Sequence, residues 1–197
     1  MRIVDLSQDS AEWLAWRQRG LGASDAAAIM GLNPYETADS VWDTLEGKPR
    51  YFTEAAKAHI ARGKAREPYI RAVYSAMTGV DWVPACVEHE EAPFIRASLD
   101  GLSPDGAEIL EIKAPAAHSF RRMQRHGIPE YYYPQVQQQL LVTGARQAHF
   151  VAWPPEGLTA LPVVQRIAAD RAFQIRLVQC LAGFWGAWLR QERPGWG

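Results

Sequence analysis

The chain has 197 residues, 48% of them hydrophobic and eight of them tryptophan, which suits one folded domain with a full core and excludes a disordered chain. Its net charge of −1 excludes a generally basic nucleic-acid binder, so any grip on a polyanion must come from local positive charge. Two separated cysteines, Cys86 and Cys180, cannot furnish a four-cysteine zinc or iron–sulfur site, and no apolar run approaches the ~20 residues of a membrane span. We therefore expect a single domain over residues 1–197, in a reducing, cytoplasmic setting and without a secretory leader.

Ser10 is placed to cap a first helix bearing Trp13, Leu14 and Trp16 on one side, with Arg17 one position further round and an end near Gly20. Gly22-Ala-Ser-Asp25 then leads into the small-residue run 26–30, with Ser24 as the expected N-cap. One reading of this stretch is an anion pocket formed by Arg17, Ser24 and the loop amides; the other is an ordinary capped helix and a surface arginine. Thr37 caps a helix over 38–46. Thr53 opens a helical stretch reaching to about Thr78, with Gly79 as its C-cap and Pro68 marking a kink or restart. Tyr69, Val73, Ala76 and Met77 form its expected buried stripe. Lys57, Arg62, Lys64, Arg66 and Arg71 make this the most basic segment. Glu67 among them either pairs with Arg71 at i,i+4 or supplies an acidic group to a site elsewhere.

Strands are expected over 80–87 and 92–100. A short helix over 119–126 carries Arg121, Arg122 and Arg125. Pro129 and Tyr131-Tyr-Tyr-Pro134 introduce a helix over 135–143 that holds Gln135, Gln137, Gln138 and Gln139 and is ended by Gly144. Strands over 146–153 and 161–167 follow. Asp170 caps a long C-terminal helix with Phe173, Leu177, Leu181, Phe184, Trp185 and Trp188 at helical spacing, and the tail from Arg193 is expected to fray. The fold class is α/β (α+β), with a central mixed β-sheet flanked by helices.

Between the strand over 92–100 and the helix over 119–126 lies a hairpin, residues 97–115. Asp105-Gly106 is a turn signal, and pairing the strands outward from it puts Asp100 opposite Glu111. Glu111 and Lys113 share one face, while Leu110 and Ile112 point to the other and anchor it in a core. Pro104 cannot donate to a ladder, so the loop is wider than two residues. Two facing carboxylates repel unless a cation or shared proton lies between them, and oxygen ligands suit Mg²⁺ or Mn²⁺. A lysine beside that metal would hold a water or neutralise charge on a phosphorane, the chemistry of metal-assisted phosphodiester hydrolysis. A surface hairpin with a solvated acidic turn fits the same short pattern.

Several stretches together resemble the phage-type nuclease family named for YqaJ and for phage lambda exonuclease, a branch of the PD-(D/E)xK nucleases. They are Trp16-Arg17 with Gly22-Ala-Ser-Asp25; Gly63-Lys-Ala-Arg-Glu-Pro68; Ser98-Leu-Asp-Gly101 with Leu110-Glu-Ile-Lys-Ala-Pro115; and Tyr132-Tyr-Pro-Gln-Val-Gln-Gln-Gln-Leu140 followed by Val142-Thr-Gly144. They stand in the family's order over residues 13–153.

The resemblance implies a restriction-endonuclease-like PD-(D/E)xK core and a role for each matching position. Asp100, Glu111 and the backbone carbonyl of Ile112 would hold a catalytic Mg²⁺ or Mn²⁺, and Glu67 would complete the site through a second ion or a water. Lys113 would position and activate the attacking water with help from Gln137, the motif match; helical spacing prevents Gln135, Gln137 and Gln139 from all facing the site. Arg17 and Ser24 would bind a terminal 5′-phosphate. One departure is that Leu99 precedes Asp100 while Pro104-Asp105 forms a Pro-Asp pair, making Asp105 a rival ligand; the register favours Asp100. The implied activity is 5′→3′ exonuclease action on double-stranded DNA, leaving 3′ single-stranded tails for phage-type recombination. A ring-shaped homotrimer and a single-strand annealing protein as partner are also implied, in a bacterial or phage-infected cell. A structure-specific or restriction-like endonuclease and a non-catalytic DNA-binding module are the rival readings.

Overall fold

The computed structural model describes residues 1–195, which leaves Trp196 and Gly197 outside the described residues. In chain order the elements are β1 (Arg2–Val4), α1 (Ala11–Arg17), β2 (Leu21–Gly22), α2 (Ala26–Ile29), α3 (Ala38–Leu45), α4 (Glu54–Thr78), β3 (Val83–Glu88), β4 (Ile95–Leu102), β5 (Glu108–Lys113), α5 (Ala117–His126), α6 (Tyr133–Thr143), β6 (Gln147–Ala152), β7 (Val163–Ala168) and α7 (Arg171–Leu189). The expected caps are in place: Ser10, Thr37, Thr53 and Asp170 each accept a backbone amide at the start of a helix. Gly79 and Gly144 end α4 and α6 in the left-handed conformation that glycine adopts without strain. Helix α4 runs through Pro68 without a restart. The tail does not fray at Arg193, whose guanidinium reaches Asp39 at 2.8 Å and Asp43 at 2.9 Å on α3.

The described residues form a seven-stranded mixed sheet in the order β1-β3-β4-β5-β6-β7, with β2 pairing β4. Neighbours are antiparallel except β5 with β6 and β2 with β4. Strict alternation along β5 assigns its residues to two cores. Ile109 joins the main core on the side of α2, α3, α6 and α7, built on Trp42, Phe150 and Phe184. Leu110 and Ile112 join Ile70, Tyr74 and Trp82 beneath α4. The stripe expected on α4 is therefore off by one position: Ile70 and Tyr74 are buried, while Tyr69 and Met77 are exposed. Both sets follow helical spacing, and only the packed sheet selects between them. Leu14 on α1 is exposed as well, so that helix is anchored by Trp13 and Trp16 alone.

Strand β4 holds the key to the site. Between the pairs Ala85↔Leu99 and Val83↔Leu102 it spends three steps where β3 spends two, which makes a β-bulge at Asp100–Gly101. Ala97, Leu99 and Leu102 consequently all lie in the main core, and Asp100 is released from the alternation. On its other edge β4 pairs β2 at Ile95 and Arg96 and pairs β5 only at Gly101 and Leu102. Between these two contacts the strands part. The Ile112 amide turns to the Asp100 carboxylate (2.6 Å), and the Leu99 carbonyl accepts from Gln8 Nε2 instead (3.0 Å). The gap is the mouth of a cleft.

Candidate active site

Extending the β4–β5 register by one step puts Asp100 opposite Glu111. Asp105 stands apart at the turn, where its carboxylate accepts from Ser103 Oγ (2.6 Å) and from the Ala107 amide (3.0 Å), so the structure gives it a loop-forming place and not a share in the cleft. Glu111 is buried between two lipophilic neighbours in sequence yet points to the α6 side. There Gln135 Nε2 donates to its Oε1 at 2.7 Å and Gln139 Nε2 to its Oε2 at 2.6 Å, while Lys113 Nζ forms an ion pair with Oε1. Lys113 Nζ also donates to Gln135 Oε1 at 3.4 Å and lies 5.1 Å over the Tyr132 ring.

The expectation for Gln137 is not met. Its Nε2 donates to the Ala168 carbonyl and its Oε1 accepts from the Asp170 amide, both at 2.9 Å, so it clamps the β7–α7 junction. Gln135 and Gln139 are four residues apart and stack on one helix face; Gln137, two residues from each, points to the opposite one. Nor is the glutamine helix a solvated surface. Gln137, Gln138 and Gln139 are all buried, and Gln138 Nε2 stitches β2 to β4 by donating to the Leu21 and Arg96 carbonyls (2.9 Å each). Gln137→Ala is expected to lower stability by about 1–3 kcal/mol, because it strands a buried amide and a carbonyl. An unchanged thermal denaturation midpoint would sink this account of Gln137.

Glu67 has two sets of neighbours. It pairs with Arg71 at 3.0 Å across one helical turn, and it also lines the cleft near Asp100. Arg71 Nη1 donates to the Asp100 carbonyl at 2.7 Å, so one guanidinium holds both the bulge and Glu67. Burial, then Glu111, then Glu67 push the Asp100 carboxyl well above the usual carboxylate range, against the opposing pull of Lys113 and the Ile112 amide. Burial also works against the charge on Lys113, but Glu111, Tyr132 and Asp100 outweigh it and hold the ammonium above its usual range.

Arg17 and Ser24 are brought together in the same cleft, a cavity of about 580 Å³. Arg17 Nη2 donates to Ser24 Oγ at 3.2 Å, and the guanidinium lies 4.8 Å over the Trp13 ring. Ser24 is not a helix cap. It sits in a single 3₁₀ turn, Ala23–Asp25, whose geometry is set by Asp25 accepting from the Gly22 amide (3.1 Å) and from Arg50 (2.6 Å). The residue before Arg17 is locked from two sides: buried Arg96 donates to the Trp16 carbonyl, and buried Glu88 accepts from the Trp16 indole (2.5 Å). Sequence reading missed Arg96 and Glu88; a charged residue inside an apolar strand was the available signal.

Among the described residues no three Asp, Glu, His or Cys side chains converge closely enough to enclose a metal ion. The oxygen donors that line the cleft are the carboxylates of Asp100, Glu111 and Glu67, with Ile112 between Glu111 and Lys113 on β5. That composition of hard oxygens fits a Mg²⁺-type ion that keeps several waters. Among the described residues no helix is long and apolar enough to cross a membrane.

The chain is similar to known proteins over most of its length. It is 32% identical over 151 residues to the YqaJ protein of Bacillus subtilis, an alignment covering 74% of this chain and 46% of that one, so the chain spans about half the length of this curated relative. An alkaline exonuclease (LHK-Exo) from Laribacter hongkongensis superposes with a TM-score of 0.79 at 25% identity, covering 93% of this chain and 94% of that structure. A phage-related exonuclease from Haemophilus somnus 129PT shares the fold at a TM-score of 0.62 and 14% identity, covering 87% and 94%. The mixed sheet with flanking helices is thus the PD-(D/E)xK nuclease fold. The model of the YqaJ-like viral recombinase domain matches residues 12–146, from the helix that carries Arg17 through the glutamine helix, and the chain belongs to that family.

Proposed function

We propose that this chain is a metal-dependent DNA exonuclease that hydrolyses double-stranded DNA 5′→3′ from 5′-phosphorylated ends and leaves 3′ single-stranded tails. The observation that carries the reading is the union, in one cleft, of the Arg17–Ser24 pair with Asp100, Glu111 and Lys113. An end-binding cation beside a hydrolytic trio suits an exonuclease, whereas an endonuclease has no use for a terminal-phosphate pocket. Similarity to an alkaline exonuclease supports the same class of reaction.

In this reading Asp100, Glu111 and the Ile112 carbonyl hold Mg²⁺ or Mn²⁺, with Glu67 available to a second ion. When bound, the metal lowers the pKa of a water and screens the charge of the reacting phosphate. Lys113 contributes a fixed positive charge at the reacting phosphate. Gln135 orients Lys113 and Glu111 together, and Gln139 holds the far oxygen of Glu111. Arg17 and Ser24 grip the terminal phosphate and so place the next phosphodiester over the trio. On α5 the exposed Arg121, Arg122 and Arg125 offer backbone contacts near the cleft rim, although Lys57, Lys64 and Arg66 on α4 are partly neutralised by Glu54, Asp9 and Glu156. A ring-shaped homotrimer and a single-strand annealing partner complete the proposal.

The test compares linear duplexes bearing 5′-phosphate or 5′-hydroxyl ends with closed circular DNA, in Mg²⁺ and in EDTA. Rapid loss of the phosphorylated linear duplex, restricted to Mg²⁺, is the expected result. Equal degradation of closed circles would favour an endonuclease.

A further inference from the structure

A second cavity, of about 830 Å³, adjoins the catalytic cleft and shares Ser24, Ile60, Tyr131, Tyr132 and Gln135 with it. Five aromatic side chains, Tyr35, Tyr51, Phe52, Tyr131 and Tyr132, line it. From the ammonium of Lys113 a path of rings leads outward: Tyr132 lies 5.1 Å from the Lys113 Nζ, Tyr131 packs on Tyr132 at 4.5 Å, and Tyr35 meets Tyr131 edge-on at 5.6 Å. Tyr51 and Phe52 add two more rings, and Tyr35 and Tyr51 are 78% and 96% exposed. Exposure of this kind leaves their faces available to a planar partner.

Charge decides which planar partner. The two cations on the wall, Lys48 and Arg50, are already engaged. Arg50 holds Asp25 at 2.6 Å, Glu36 at 3.1 Å and Thr44 Oγ1 at 3.0 Å; Lys48 holds Glu46 at 2.6 Å and Asp43 at 3.0 Å. Glu36 and Asp43 themselves face the cavity, so a phosphate gains little there. What the cavity offers is ring faces.

We propose that this second cavity is a stacking subsite for unpaired nucleobases, lying beside the cleft and reading bases through Tyr35 and Tyr51 without gripping the phosphate backbone. Stacking on tyrosine tolerates any base, as a nuclease that reads no sequence requires. The bases come either from the strand whose 5′ end occupies the cleft or from its complement, once the two have separated. The proposal rests on the nuclease reading of the adjoining cleft for its choice of ligand.

The experiment measures binding of a short fluorescent single strand to the whole chain by anisotropy in EDTA, where no hydrolysis occurs. An abasic strand of equal length serves as the comparison. Tyr35→Ala and Tyr51→Ala are each expected to weaken binding of the base-bearing strand about tenfold, the loss of one stack, and to leave the abasic strand unaffected. Tyr35→Phe, which keeps the ring, is expected to bind like the parent. Duplexes with a 5′ or a 3′ single-stranded tail then separate the two sources. A loss confined to the 5′-tailed duplex assigns the bases to the strand being hydrolysed, and one confined to the 3′-tailed duplex assigns them to its complement. Parent-like binding by both alanine variants, or equal losses on the abasic strand, overturns the subsite. Base-dependent binding by a chain that hydrolyses no DNA would uphold the subsite and refute the nuclease reading, and hydrolysis with parent-like binding would do the reverse.

Discussion

Replacing Lys113 by alanine is expected to lower the rate of duplex hydrolysis about 10²–10³-fold while leaving DNA binding near the parent level. The side chain lies between the Glu111 carboxylate, the Gln135 Oε1 and the Tyr132 ring and is three-quarters buried. In such surroundings a fixed ammonium stabilises charge that develops only at the transition state, so kcat carries the loss and KM does not. Lys113→Arg is not expected to restore the rate, since a longer, planar guanidinium with delocalised charge does not put a compact ammonium at the same point. The fold should survive the alanine, because Gln135 and Gln139 still donate to both oxygens of Glu111. Single-turnover rates at saturating DNA, with a thermal denaturation control, check this. A folded alanine variant with parent turnover would place the chemistry away from this trio.

Arg17→Ala is expected to act on the other kinetic constant. A charge-assisted contact to phosphate contributes about 1.5–3 kcal/mol, so KM for 5′-phosphorylated duplex should rise about 10- to 100-fold. For a 5′-hydroxyl duplex the change should be small, since that end never made the contact. The discrimination ratio between the two ends is the decisive readout, because a general loss of folded protein would lower both activities alike. The surrounding contacts make the position rigid: Trp13 stacks under the guanidinium, and Arg96 and Glu88 lock Trp16 beside it. A variant that keeps the parent's preference for phosphorylated ends would remove Arg17 and Ser24 from end recognition.

Much of the architecture was legible because it is local. Caps at Ser10, Thr37, Thr53 and Asp170, glycine stops at Gly79 and Gly144, and the Asp105-Gly106 turn each act within a few residues. The Asp100–Glu111 pairing followed from that turn, and Glu111 and Lys113 share a face because strand side chains alternate. Short strands lacked such signals. β1 and β2 span three and two residues, too few for a period to emerge, and exist through their pairing with β3 and β4. The glutamine helix shows a different limit. Its pattern says that Gln135 and Gln139 share a face and that Gln137 opposes them, but not which face meets Glu111.

What the sequence by itself determined about this protein is therefore most of its elements, the turn register and the facing of Asp100 and Glu111 with Lys113 beside them, all consequences of short-range sterics and hydrogen bonding. What only the tertiary structure decided is how they meet. The bulge at Asp100–Gly101, the parting of β4 from β5, and the pairing of β2 on the same edge of β4 bring Arg17 and Ser24 into one cavity with Asp100, Glu111 and Lys113. Gln135 replaces Gln137 at Glu111 for the same reason. These are long-range choices among locally equivalent arrangements, and they are made by which face of each element finds an apolar partner in the packed sheet.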